Sequence, residues 1–146
     1  MLFRSKVVQE LKTNLKDLAT YYHASAQKSA RVADYQEAAR LYGDYQKSFP
    51  ADADVAQTSY LMAEALFEGH QYGAAAAEFE HTAYGYPRND KSAVAGYAAL
   101  VAYQKGEEGL TGAEKETWHK RATDSGIKFA QTFPEHPDSA DRKSVV

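Results

Sequence analysis

Five histidines, His23, His70, His81, His119 and His136, are the side chains in this sequence best suited to moving a proton or holding a metal. No two of them lie four residues apart, so the helical zinc signature is missing. Glu78 and His81 are three apart and would meet on a helix, where they could share a metal. Little else converges there, and a solvated helix face is the simpler reading. Glu64 and Glu68, four apart, could form an acid/base pair, but no nucleophile or histidine accompanies them. The chain has no cysteine, which removes disulfides, thiolate metal sites and a cysteine nucleophile. No serine sits in a G-x-S-x-G elbow, and no glycine-rich phosphate loop follows a strand. A reaction centre needs a converging constellation. Its absence here points to a protein that is not an enzyme and needs no cofactor or metal.

Composition narrows the field further. A chain of 146 residues, 44% apolar and 25% charged, can bury the core of one domain. Its net charge is −3, with lysine and arginine interspersed among aspartate and glutamate. No basic stripe suggests nucleic acid as a partner. The opening MLFRSKVVQELK has no apolar signal region, and no apolar run approaches the length of a membrane span. After Pro134 the sequence EHPDSADRKSVV resembles the start of another helix, as expected of a piece from a longer chain.

The candidate residues must be positioned by helices. Val8, Leu11, Leu15, Leu18 and Tyr22 recur at threes and fours within residues 5–28 and mark one apolar helical face. Asp34, three before Glu37, reads as a capping box for a helix to about Ser48, which Pro50 cannot continue. Asp54, three before Gln57, is placed to cap a helix through Glu68, with Gly69 ending it. Further helices are expected from Tyr72 to Tyr84, from Asp90 to about Lys105 before a terminating Gly106, and from Thr111 through Trp118 to about Phe133. No alternating strand pattern occurs between turn signals. The expected fold is all-α, made of antiparallel helix hairpins.

These hairpins repeat. Residues 38–50 read AARLYGDYQKSFP, 75–87 read AAAEFEHTAYGYP, and 122–134 read ATDSGIKFAQTFP. Pro50 to Pro87, Gly69 to Gly106 and Tyr60 to Tyr97 each span 37 residues, a period that marks stacked helical units. Pro87 to Pro134 spans 47, and the ten extra residues fall in GEEGLTGAEKET, where three glycines suggest a flexible connection. The units are about 19–52, 53–89 and 90–137, with an insertion near 106–117. Residues 138–146 would begin a further, truncated helix, and 1–146 would form a single domain.

This pattern resembles the tetratricopeptide repeat. Ala63, Leu66, Tyr72, Ala75, Phe79, Ala83 and Pro87 follow it in the middle unit. Tyr35, Ala38, Tyr42 and Pro50 match in the first, and Tyr103, Ala122, Phe129 and Pro134 in the third. The departures are Ser25 and Ser29 at positions expected to be apolar, and Gly126 where the other copies have Tyr42 and Phe79. The resemblance implies hairpins stacked as a short right-handed superhelix, an α-solenoid. Ala38, Ala75 and Ala122 would then sit where paired helices cross. The 37-residue period with FP or YP is similar to bacterial periplasmic repeat proteins of outer-membrane assembly and the Tol–Pal system. That likeness implies a periplasmic or outer-membrane-associated scaffold, with a cytoplasmic location left open.

In that family the first helix of each pair lines a concave groove. Carried over, the groove would show His23, Gln27 and Arg31, then Tyr60, Glu64, Phe67 and Glu68, then Tyr97, Val101, Gln104 and Lys105. The Lys/Asn clamp that the family uses for a terminal carboxylate is absent at these positions. An aromatic and acidic centre implies another protein or peptide segment, cationic in character, as partner. The alternative is a structural spacer or self-assembly unit that stacks on further repeats of the same chain and binds no separate ligand. Trp118, Ala122, Ser125 and Phe129 share one face of the last helix. Gly126 is expected to admit a neighbouring helix, and Trp118 to cover the third hairpin.

Overall fold

The computed structural model describes residues 2–137 and Ser139, with side chains from Arg4 onward. Six helices occur among the described residues: α1 (Leu2–Ser29), α2 (Val32–Ser48), α3 (Val55–Glu68), α4 (Tyr72–Tyr84), α5 (Ser92–Glu107) and α6 (Gly112–Thr132). None of the described residues is in a strand. The protein is all-α. It divides into two compact units, Met1–His70 and Gln71–Val146, with the division between α3 and α4. The further helix expected from residue 138 lies outside the described residues, apart from Ser139, whose hydroxyl donates to the Phe133 carbonyl.

The first unit is an antiparallel run of α1, α2 and α3. His23 meets Tyr42 while Lys16 lies over the Tyr45 ring and Lys12 over Phe49, so α1 and α2 run in opposite directions. Tyr35 lies beside Gly69, and Gly43 beside Met62, so α3 reverses again. The seats are small residues: Ala19, Ala26, Ala38, Ala63 and Ala65 are each 0% exposed. Short side chains let helix axes approach closely, and the larger Leu41, Tyr42, Tyr45 and Leu66 fill the space between. The face of α1 turned inward is therefore not the expected one. Ala19, His23 and Ala26 are buried, whereas Val8, Leu11 and Leu18 are exposed and Leu15 and Tyr22 half-buried. Two features turn the helix this way. Alanine admits α2 more closely than leucine, and Lys12 and Lys16 are drawn to carboxylates near the start of α3.

The second unit is another antiparallel run, α4, α5 and α6. Glu80 pairs with Tyr103 and Tyr84 approaches Gly96, while Tyr97 packs on Phe129 and Tyr103 on Trp118. Ala75 is wholly buried, and Ala77 points outward. Leu100, Phe129 and Phe133 form a cluster, with Tyr84, Ala93 and Tyr97 packed against it. A Cβ on Gly96 would lie 3.0 Å from Phe129 and 3.3 Å from Phe133, so α5 presents glycine where α6 crosses it. Ala122 is only half-buried, and the third crossing is not made there. Buried Ser125, Gly126 and Ala130 carry it instead.

Element ends match expectation more closely than the capping chemistry does. Asp54 and Thr111 do precede α3 and α6, but neither makes a side-chain cap. Asp34 lies inside α2, which starts after Arg31, and Glu37 binds Arg40. The start of α5 is tied by Asn89 and Ser92, not Asp90: the Asn89 amide donates to Ser92 Oγ and the Lys91 amide to Asn89 Oδ1. Gly69 does follow α3, and a Cβ there would come within 2.9 Å of Tyr35 Cβ. Gly106 does not end α5, which continues to Glu107, and the expected flexible connection shrinks to residues 108–111.

Gly106 has another use. A Cβ there would lie 2.2 Å from Trp118 Cζ2, so the indole rests directly on this glycine. Its Nε1 donates to the Tyr103 carbonyl at 2.5 Å, and its ring meets Tyr103 edge-on at 5.4 Å. Trp118 therefore packs on α5, as expected of it. Gly106→Ala should dislodge the indole, red-shift the emission of this sole tryptophan and increase its quenching by acrylamide. Unchanged emission and quenching in the folded variant would show that the indole does not rest on Gly106.

Candidate functional site

The candidate residues fall in two separate units. In the first, α1 and α3 bring His23, Gln27 and Glu68 together. His23 Nε2 lies 3.3 Å from Glu68 Oε1 and Nδ1 lies 3.2 Å from the Tyr42 hydroxyl, while Gln27 Nε2 donates to Glu68 Oε2 at 3.3 Å. A histidine, a carboxylate and a phenol in line have the makings of acid/base chemistry. Here the imidazole and the phenol are enclosed by packing. His23 is 7% exposed and Tyr42 3%, with Tyr35 and Tyr42 both packed edge-on to the imidazole. His23 is thus a buried joint between three helices, not a residue displayed in a groove. Both ring nitrogens have partners, as a buried imidazole requires.

Arg31 also departs from its expected place. It lies beyond the end of α1, at the N-cap position of α2, and is exposed. Gln27 remains exposed on α1. On α3, Tyr60, Glu64 and Phe67 follow one another at four and three residues, so they share a side of the helix, and all are half-buried. Glu68 ends that helix. Burial raises the Tyr60 phenol above its ordinary value, and the Glu64 charge raises it further. Tyr42 is raised by burial first, with Glu64 and Glu68 adding to the effect. The Glu64 charge thus reaches both phenols.

The placement of α3 depends on a network not read from the sequence. Asp52, in the connection before α3, accepts from Lys12 Nζ at 2.7 Å, from the Tyr45 hydroxyl and from the Asp54 amide at 3.2 Å. Asp54 accepts from Lys16 Nζ at 2.7 Å. The available clue was spacing: two lysines four apart on α1 and two aspartates two apart in the connection. Lys12, then Tyr45, lowers the Asp52 carboxyl from 3.8 to about 2. Burial and then Asp52 raise the Tyr45 phenol well above its usual range.

In the second unit Tyr97 is half-buried against Phe129, at 6.1 Å, and stacked on His136 at 5.8 Å. It belongs to the aromatic cluster. Val101 is half-buried, and Gln104 and Lys105 are exposed. Tyr103 is raised well above its usual range, first by burial and then by its bond to Glu80. Among the described residues no group of three His, Cys, Asp or Glu is placed to hold a metal, and no helix is long and apolar enough to cross a membrane.

No protein-family model matches this chain, and no curated protein matches it. Its class is therefore defined by architecture alone: an all-α protein of antiparallel helices, helical-repeat-like in its successive hairpins.

The Asp52 network has a pH signature. A carboxyl lowered on folding stabilises the folded state fully above its unfolded value, and that contribution is lost as pH falls through the folded one. The first unit should lose stability between about pH 4 and about pH 2 through this group. Asp52→Asn should lower the melting temperature at pH 7 and flatten the acid limb of the melting curve over that window. An acid limb identical to that of the parent protein would show that Asp52 does not bear the load.

Proposed function

We propose that this chain is a protein-binding scaffold of the tetratricopeptide kind, a module of a longer bacterial envelope protein in the periplasm or at the outer membrane. In this reading its hairpins stack as a short right-handed superhelix, and α3 receives a cationic segment of another protein. The observation that carries the reading is the line Tyr60, Glu64 and Phe67, aromatic, acidic and aromatic along one side of α3. Aromatic side chains give a large contact area with few rotors to fix. A carboxylate between them favours lysine or arginine and disfavours an acidic competitor. Glu64 lies between the two aromatic side chains on this side of α3, so it is the carboxylate proposed to meet the ligand.

A second reading, a spacer or self-assembly unit, is favoured by the apolar side chains that α1 leaves exposed. In an array of stacked repeats such a face is covered by the next element.

Helical peptides bearing lysine or arginine beside leucine or phenylalanine, and their charge-reversed counterparts, separate the two readings in a fluorescence-anisotropy titration. The scaffold reading expects the cationic set to bind more tightly, and binding to weaken as salt rises. Glu64→Lys should weaken it about tenfold or more, equivalent to roughly 1.4 kcal/mol. Equal binding of both sets, or binding unaffected by Glu64→Lys in a folded variant, would contradict the scaffold reading.

A further inference from the structure

Along α1 the side chains of Val7, Val8, Leu11, Leu18 and Tyr21 remain 38%, 42%, 54%, 46% and 65% exposed. Val8, Leu11, Leu15, Leu18 and Tyr22 occupy successive a and d positions of a heptad, and Val7, Asn14 and Tyr21 the g line beside them. We propose that this edge pairs antiparallel with the same edge of a second copy of the chain, about a two-fold axis near residue 13. Val8 then lies opposite Leu18 of the second copy, Leu11 opposite Leu15, and Arg4 reaches the Tyr22 ring.

Three features select a second copy as the occupant. The register is self-complementary, because antiparallel pairing sets each a position against a d position and fills every such place with an apolar side chain between Val8 and Leu18. The g line carries no charge from residue 7 to residue 21, so the two-fold axis sets Val7 against Tyr21 and Asn14 against Asn14 without like charges meeting. Lys12 and Lys16 are held by Asp52 and Asp54. The exposed surface of α6, with Glu114, Lys115, Lys120, Asp124 and Lys128, offers no apolar counterpart for head-to-tail stacking. A self-complementary edge of this kind is suited to a closed two-fold contact. The exposed edge of one helix is small against the roughly 1,200–2,000 Å² that stable interfaces bury. The pairing should accordingly depend on concentration. It is independent of the α3 face, so its failure and that of the ligand-binding reading are separable.

Sedimentation velocity across micromolar to near-millimolar protein should show a monomer–dimer equilibrium. Leu11→Glu combined with Leu18→Glu should weaken it at least about tenfold while far-UV circular dichroism is retained. Tyr21→Ser, at the most exposed position of the edge, should weaken it as well and serves if the double variant does not fold. Because the chain has no cysteine, single thiols report the geometry. Asn14→Cys should form a disulfide-linked dimer under oxidation. Ser25→Cys should not, since antiparallel pairing holds its two copies roughly 35 Å apart at 1.5 Å of rise per residue. A monomer at every concentration, a dimer that both sets of edge substitutions leave intact, or cross-linking through Ser25→Cys in place of Asn14→Cys would overturn the proposal.

Discussion

Close approach of helices at side chains no larger than alanine governs both units. Ala19, Ala26, Ala38, Ala63 and Ala65 in the first, and Ala75, Ala76, Ala95, Ala99 and Ala102 in the second, are fully buried. An alanine methyl removes little apolar area from water, on the order of 1 kcal/mol each. Its larger effect is geometric. With the backbones drawn together, long aromatic side chains span from one helix to the next and find polar partners at their tips. Tyr45 reaches Asp52, Tyr103 reaches Glu80, and Trp118 reaches the Tyr103 carbonyl. Where alanine would still be too large, glycine takes its place, at Gly69 against Tyr35, at Gly96 against Phe129 and at Gly106 against Trp118.

The same constraint explains which parts of the structure could be read in the sequence. Helix periodicity, proline stops and the recurring alanine gave the all-α class, and α4 has the limits its sequence suggested. The inward face of α1 departs from its leucine stripe because fit at the crossing favours alanine, although leucine outranks it in hydrophobicity. The capping residues depart from expectation for an electrostatic reason. Asp54 lies where a cap belongs, but Lys16 claims its carboxylate, and Glu37 is claimed by Arg40. In the candidate site, the repeat resemblance pointed to Tyr60, Glu64 and Phe67, and their spacing of four and three sets them on one side of α3. His23 escaped, because the tyrosines that bury it come from another helix and no local pattern announces them.

The polar groups of the first unit thus divide by burial into two kinds. His23, Tyr42, Asp52 and Tyr45 hold α1, α2 and α3 in register, and their chemistry is spent inside the fold. Tyr60, Glu64 and Phe67 on α3, and the apolar edge of α1, are left partly or largely open to solvent. Both surfaces belong to the first unit, and each depends on the joints behind it. The second unit turns its aromatic side chains inward, with Phe129 and Phe133 buried and Tyr97 against them. Its Gln104 and Lys105 remain exposed but have no aromatic line comparable to that of α3.

In each unit the middle helix is flanked on both sides, α2 by α1 and α3, and α5 by α4 and α6. If small-residue crossings hold the structure, these two helices should be the last to open. Native-state amide hydrogen exchange followed residue by residue measures this directly. The amides of Tyr35–Tyr45 and Ala95–Tyr103 should exchange most slowly in their respective units. Slowest exchange in α1 and α6, or protection spread evenly over all six helices, would contradict an architecture built outward from the alanine crossings of α2 and α5.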